Sequence, residues 1–405
     1  MPSPATKVPS LTTEEVSLSA TSVLSDLLEE AYSLRASDIH LDPTETYLGV
    51  RLRIDGVLDT KAHVPLRLHT ELISRIKILS SLRIDEHQRP QDGRFRHTLM
   101  LGRHLDVRVS IAPTYHGQNA VLRLLFPGDG ISTLDALGLS ETHQKQVLRS
   151  LGRPHGLILA TGPTGSGKTS TLYALLSLLS SNAKSIITIE DPIEYSMDGM
   201  TQMQTNDRTG LTFETGLRSI LRQDPDIIMV GEVRDKETAR LAVNAALTGH
   251  IVLTTLHTND APTALPRLLD LSVEPYLIPS TVSLIIAQRL ARRICTGCRT
   301  RKRLGAAEEA AIRETTENEV TLPSFHFIGA GCAACNGTGY RGRIGVFELL
   351  VMDDFVRKIV LDRPAAFTLR SQMLAHGMRS LLKDGLAKAE QGTTTIEEIF
   401  RLHHE

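Results

Sequence analysis

The stretch GLILATGPTGSGKTSTLYALLSLL, residues 156–179, constrains the fold of this chain more than any other. An apolar run reads as a buried strand, a glycine-rich turn follows, and an apolar-rich segment with helical character comes next. Gly162, Pro163, Thr164, Gly165, Ser166, Gly167, Lys168 and Thr169 fit the pattern G-x-x-x-x-G-K-[ST] in full. Glycines let backbone N–H groups turn inward around phosphates, and the helix that follows presents its positive end to them. In that arrangement Lys168 reaches the β- and γ-phosphates and the Thr169 hydroxyl ligates Mg²⁺. The expected ligand is therefore ATP. A strand–loop–helix unit of this kind needs a parallel sheet to sit in, so the expected class is α/β.

Further strands of that sheet are expected at 157–161, 186–190, 227–230 and 251–256, within a domain spanning 134–405. The chain has 405 residues, enough for two or three cores. Residues 1–20, rich in Pro, Ser, Thr and Glu, read as a mobile tail. A smaller α+β domain is expected over 21–126. It has a helix carrying Val23, Leu24, Leu27, Leu28, Ala31 and Leu34, a strand over Leu48–Ile54, and a second helix carrying Leu68 to Leu82. Two more strands follow, one from about Arg94 and one holding Leu105, Val107, Val109 and Ile111. Pro127, Gly128 and Gly130 mark 127–133 as a linker. The spacing also predicts a zinc-type insertion at 290–345 and a helical part over 346–405, its last helix capped by Thr394 with Glu397.

Hydrolysis of a bound triphosphate needs a group that orients water and one that holds Mg²⁺. IITIEDPIEY delivers Glu190, Asp191 and Glu194, with Pro192 ending the strand so that Glu194 falls in a loop. DIIMVGEVRD delivers Glu232, with Gly231 where an Asp is more common at the end of the metal-side strand. Ligands of open α/β sheets bind beyond the carboxyl ends of the strands, so these acids should face the phosphate loop. His250 and His257 flank the strand IVLTTL. His257, at its carboxyl end, is placed to touch phosphate, whereas topology gives His250 no such position.

All four cysteines fall in two C-x-x-C pairs, Cys295 with Cys298 and Cys332 with Cys335. Two such turns close a tetrahedral Zn²⁺ site with no open position, which makes it structural. The run QRLARRICTGCRTRKR around the first pair is basic and invites a nucleic-acid reading. Against it stand a formal net charge of −1 and an aromatic content of only 4%, which leave little field and few stacking surfaces. No nucleic-acid partner is expected. No apolar run reaches the ~20 residues of a membrane span, and the first ten residues lack a basic-then-apolar signal, so the expected compartment is the cytoplasm.

Taken together, ASDIHLDP, RLRIDG, RPQDGRF, DVRVS, GPTGSGKT, IEDPIEY, GEVRD, TGHIVLTTLHTND and the paired C-x-x-C resemble the secretion ATPase superfamily. More narrowly, the chain is similar to the type II secretion ATPases (GspE/PulE type) and the type IV pilus assembly ATPases (PilB type). The resemblance runs over nearly the whole chain from about residue 20. It implies a RecA-like P-loop ATPase domain preceded by a PAS-like domain, a homo-hexamer, and peripheral association with the inner membrane through secretion or pilus platform proteins. It assigns Glu194 as the water-activating base with Glu190 as the alternative, Glu232 as the metal-side acid, and His250 and His257 as a histidine box. It assigns Arg94 and Arg108 as N-terminal-domain arginines that approach the phosphates. Arg108 also points away from the apolar face set by Val107 and Val109. Members of this family usually carry a further N-terminal docking domain, for which the short tail leaves no room. The competing expectations are a pilus-assembly motor and, from another class, a DNA-translocating P-loop protein with a zinc ribbon.

Overall fold

The computed structural model describes residues 19–100, 102–126, 133–306, 309–310, 313, 325–362 and 365–404. Residues 1–18 of the expected tail, 127–132 of the expected linker and most of 307–324 lie outside them. The chain divides into two compact units, Met1–Gly130 and Ile131–Glu405.

The first unit is one antiparallel sheet with two helices. Its strands are β1 (Ala36–Pro43), β2 (Tyr47–Ile54), β3 (Val57–Pro65), β4 (Gln91–Thr98), β5 (His104–Thr114) and β6 (Gly117–Leu125), ordered β3-β2-β1-β6-β5-β4. Six strands stand where the sequence signals marked three. Of the other three, β3 has the polar run Asp59-Thr60-Lys61, which breaks a period-2 pattern, whereas β1 alternates Ile39 and Leu41 with Asp38, His40 and Asp42, a strand signal the sequence reading passed over. The helices Ala20–Ser33 and His69–Leu79 bury Leu24, Leu28, Leu72 and Ile76 with Ile39, Leu41, Val107 and Ile111 in one core. Each such fully buried side chain contributes about 1.5–3 kcal/mol. On the opposite, polar face Arg94, Arg108 and Arg123 stand in register on β4, β5 and β6.

The second unit is built on β7 (Gly156–Thr161), β8 (Ile186–Glu190), β9 (Thr201–Gln204), β10 (Ile227–Val230), β11 (Ile251–Leu256) and β12 (Val282–Ile294). Two short strands, β13 (Arg299–Arg303) and β14 (Phe325–Gly329), pair with each other, and β15 (Tyr340–Val351) returns to the main sheet. The sheet order is β15-β12-β7-β11-β10-β8-β9. All its pairings are parallel except β12 with β15. β7, β8, β10 and β11 are buried on both faces, as a covered parallel sheet requires. One face packs against Leu217, Ala242 and Leu265, the other against Leu172, Leu175 and Leu176 of the helix Lys168–Leu179.

Two expected boundaries shift. Leu290–Ile294 and Tyr340–Gly345 are not part of an insertion but the ends of β12 and β15, which run side by side in the main sheet. The cysteine segment is thus an excursion between adjacent strands. Residues 346–351 likewise belong to β15, because Phe347, Leu349 and Leu350 fill the sheet's core. The last helix, Ile396–His404, is capped one residue later than expected. The Thr395 hydroxyl accepts the Glu398 N–H at 3.2 Å, while the Thr394 hydroxyl donates to the Arg292 carbonyl.

Candidate functional site

β7 ends at Thr161 and the chain turns through Gly162, Gly165 and Gly167, all at positive φ. The reason at two of them is contact as well as φ. A Cβ on Gly162 would lie 2.4 Å from the Gln288 carbonyl oxygen and 2.7 Å from Ser166 Oγ; one on Gly167 would lie 2.8 Å from Gln288 Nε2. β12, next to β7, therefore presses the loop into shape, and Gln288 Oε1 also accepts from the Thr171 hydroxyl at 2.6 Å. Within this cradle the Ser166 hydroxyl is buried with no hydrogen-bond partner. A buried orphan donor in a glycine-rich loop fits a bound phosphate oxygen.

Lys168 opens the helix and is nearly buried, its Nζ donating to the carbonyls of Gly162 and Pro163 at 2.8 and 2.9 Å. Burial pulls its ammonium down to about 8; Arg289 adds to the fall, and Glu232 partly opposes it. Thr169, beside it, is half-buried.

The acids sit at the same edge. Glu232 follows β10 and is largely buried; it pairs with Arg234 at 2.6 Å and with His257 Nε2 at 3.3 Å. Gly231 precedes it because a Cβ there would lie 3.3 Å from both the Glu190 Cα and the Ile189 carbonyl oxygen of β8. An Asp at this position would crowd the neighbouring strand. The structure thus joins Lys168, Glu232 and His257 in one electrostatic cluster.

Glu190 is a different kind of group. It is buried and accepts from the Tyr173 hydroxyl, from the Thr188 hydroxyl at 2.6 Å and from Gln202 Nε2 at 3.2 Å. Burial and the Glu190 carboxylate push the Tyr173 hydroxyl far up, so it remains a donor. With both oxygens engaged, Glu190 braces the helix of the phosphate loop and is not disposed to take a proton from water. Glu194 lies in the following loop, half-buried. That loop is held by Gln202, which accepts the Met197 N–H at 2.7 Å and donates to the Tyr195 carbonyl, and by Tyr195 edge-on to Tyr173 at 4.6 Å.

His250 stands apart. It precedes β11, its Nδ1 is 2.9 Å from the Ala245 carbonyl, and the phosphate loop adjoins the strand's other end. Six residues of strand, about 20 Å, separate it from His257. Within this unit it cannot meet phosphate on the loop. Arg94 and Arg108 belong to the first unit, where they face each other across β4 and β5.

The four cysteine sulfurs lie within 4.8 Å of one another. Cys295 and Cys332 are 3.8 Å apart, Cys298 and Cys335 3.8 Å, and Cys332 and Cys335 3.7 Å. A disulfide would hold its sulfurs at about 2.05 Å. Bonds of about 2.3 Å to a tetrahedral ion place sulfurs about 3.8 Å apart. The N–H groups of Cys332 and Gly339 donate to Cys335 Sγ at 3.2 and 3.3 Å. Burial alone would raise that thiol, but these bonds and the neighbouring thiols bring it down to about 6. The cluster fits one tetrahedral ion and exposes no vacant position of its own.

Sequence reasoning missed Tyr173, Gln202 and Gln288. Gln288 had a signal: a lone amide inside SLIIAQRLA is out of place in a buried strand unless it is bonded. Gln202 had none, since its short strand is polar except for Met203 and shows no pattern that singles it out.

The model of the family described as Type II/IV secretion system protein matches residues 14–401. The chain belongs to this family. It is 46% identical over 380 residues to the type II secretion system protein HxcR of Pseudomonas aeruginosa, covering 94% of this chain and 76% of that one. It is 43% identical over 374 residues to the type IV pilus assembly ATPase PilB of Myxococcus xanthus, covering 92% of this chain and 66% of that one. The solved structure of the pilus retraction motor PilT with bound ADP matches with a TM-score of 0.63 at 27% identity, covering 94% of this chain and 96% of that one. The chain is thus an ATPase of the secretion family with a mixed α/β fold.

Proposed function

We propose that this ATPase is the cytoplasmic motor of a type II secretion system, converting ATP hydrolysis into assembly of a pseudopilus and so into protein export. The observation that carries the reading is the cluster of Lys168, Glu232 and His257 beside the orphaned Ser166 hydroxyl. Lys168 and the loop amides bind and orient the β- and γ-phosphates. Glu194 accepts the proton of the attacking water from its loop, while Glu190 holds that loop's base through Tyr173 and Gln202. The Thr169 hydroxyl and Glu232 would hold Mg²⁺, which supplies charge neutralisation to the triphosphate. His257, bonded to Glu232, exchanges that bond for a γ-phosphate oxygen and so reports whether the phosphate is present.

The larger unit is read as RecA-like, with a helical C-terminal part, and the smaller as PAS-like. The family resemblance is what supports reading Arg94 and Arg108 of the smaller unit as the arginines that approach the phosphates. Like charges directly opposite on adjacent strands are unfavourable, and an anion offsets that cost. The family reading supports a homo-hexamer docked on inner-membrane platform proteins, with no nucleic acid. Among the described residues no helix is long and apolar enough to cross a membrane. Cys295, Cys298, Cys332 and Cys335 would hold Zn²⁺ as a structural pin between β12 and β15.

A second reading, assembly of a type IV pilus, is favoured by the 43% identity to a pilus assembly ATPase. Deleting the gene separates them. Loss of exported proteins with pili intact supports secretion, and loss of surface pili with export intact overturns it. Complementation with Lys168→Ala must fail in either case.

A further inference from the structure

His257 is carried by a loop whose other end is fastened by charge. Residues Thr258–Thr263 follow β11, and on the site side Thr258 is hooked to Thr161, the residue just before the phosphate loop. Its N–H donates to Thr161 Oγ1 at 2.9 Å, and the two hydroxyls are 2.7 Å apart. The Thr258 hydroxyl also lies 3.0 Å from the Asp260 carbonyl. On the far side Asp260 accepts from the N–H and the hydroxyl of Thr263 at 2.9 and 2.7 Å, and pairs with Arg370 at 2.7 Å.

Arg370 comes from the helix Ala366–Ala375, more than a hundred residues later in the chain. It also lies 3.5 Å from Glu348, a fully buried carboxylate on β15. Glu348 accepts the N–H of Ala261, in the same loop, at 2.9 Å and that of Leu381, opening the next helix, at 3.3 Å. Burial pushes the Glu348 carboxyl up, and Arg370 opposes the rise. A cavity of about 280 Å³, bounded by Asp260, Arg289, Arg370 and Leu382, lies alongside. Arg370 is therefore held at Asp260 by charge and hydrogen bonds more than by close packing.

We propose that Asp260 and Arg370 are positioning residues for His257, with Glu348 as their buried anchor, so that the C-terminal helices set the register of the loop that meets the γ-phosphate. This rests on the role given to His257 above. A loop fixed at Thr161 alone would pivot, and a pivot at Thr258 moves the adjacent His257 ring out of reach of Glu232. Fixing both ends leaves the ring one position. Since Arg370 and Leu381 belong to separate C-terminal helices, a shift of those helices transmits to the site through two ion pairs and two N–H bonds. The coupling runs through a contiguous set of groups with a discrete made-or-broken contact.

The test uses the full chain with Asp260→Asn, which keeps the acceptor for Thr263 and removes the charge that holds Arg370. Arg370→Lys serves as the conservative rescue, and His257→Ala as the second background. Asp260→Asn is expected to lower kcat about tenfold with KM for MgATP nearly unchanged, and Arg370→Lys to keep most of the rate. Amide exchange over Thr258–Thr263 should quicken by about the same factor, without nucleotide present. In the His257→Ala background, Asp260→Asn should change kcat less than about twofold, because the two act through one group. Equal losses in both backgrounds, or unaltered amide exchange, would overturn the proposal. If His257→Ala alone leaves hydrolysis untouched, the role of His257 fails, and this inference with it. If His257→Ala is impaired and Asp260→Asn is not, only the inference fails.

Discussion

At the scale of single residues the site separates carboxylates by what surrounds them. Glu190 has donors on both oxygens, whereas Glu194 lies half-buried in a loop. Glu194→Gln is expected to lower kcat by about 10²–10⁴-fold while leaving nucleotide affinity near its original value, as removal of a general base does. Glu190→Gln should instead act on stability, because it leaves buried donors poorly matched; its thermal midpoint falls more than the kcat of the folded fraction. Lys168 gives a pH signature. Its ordinary value of 10.5 drops to about 8 through burial, so the pocket loses its ammonium as pH rises through about 8. Nucleotide affinity, measured with a fluorescent analogue, should be flat below that point and fall about tenfold per pH unit above it. Between about 8 and 10.5 the unfolded chain holds the Lys168 proton and the folded one does not. Over that window Lys168's contribution to stability rises with pH.

At the scale of elements, the phosphate loop and the cysteine knuckle were legible because each needs a fixed spacing of residue types. The four strands read from apolar runs, 157–161, 186–190, 227–230 and 251–256, match β7, β8, β10 and β11 to within a residue. β12 and β15 were not legible as sheet strands. Arg292 and Arg343 break their apolar pattern near the ends, and only the pairing of the two strands makes those positions intelligible. Gln288 was marked by its place in an apolar strand but its partner, 117 residues away, was not, and Tyr173 bonds a partner 17 residues away that no local pattern encodes. Two expectations follow at this scale. Gly162→Ala should cost nucleotide affinity at least tenfold, since its Cβ would meet the Gln288 carbonyl at 2.4 Å. The proposed zinc site predicts one ion per chain by atomic absorption, and Cys332→Ser should lower that content together with the unfolding midpoint. Hydrolysis by the chain that remains folded should change far less, because the knuckle contributes no group to the phosphate loop.

At the scale of the whole molecule, the two units are separately cored, and the division between Gly130 and Ile131 falls within the sequence expected to be a linker, which holds Pro127, Gly128 and Gly130. Arg94 stands opposite Arg108 in the smaller unit, and the proposed function assigns this pair to the transferring phosphate. Arg108→Gln is therefore expected to lower kcat by about 10²–10³-fold with the larger unit's nucleotide affinity little changed, as loss of a transition-state cation does. We propose that cleavage of ATP at Lys168 moves one unit against the other, and that this motion is what drives assembly. The direct measurement is a distance between one probe in Met1–Gly130 and one in Ile131–Glu405, followed through a single turnover of bound ATP in the full-length protein. The account predicts that the distance changes at the rate of hydrolysis and that Lys168→Ala abolishes the change. Hydrolysis proceeding at full rate with the distance constant would contradict it.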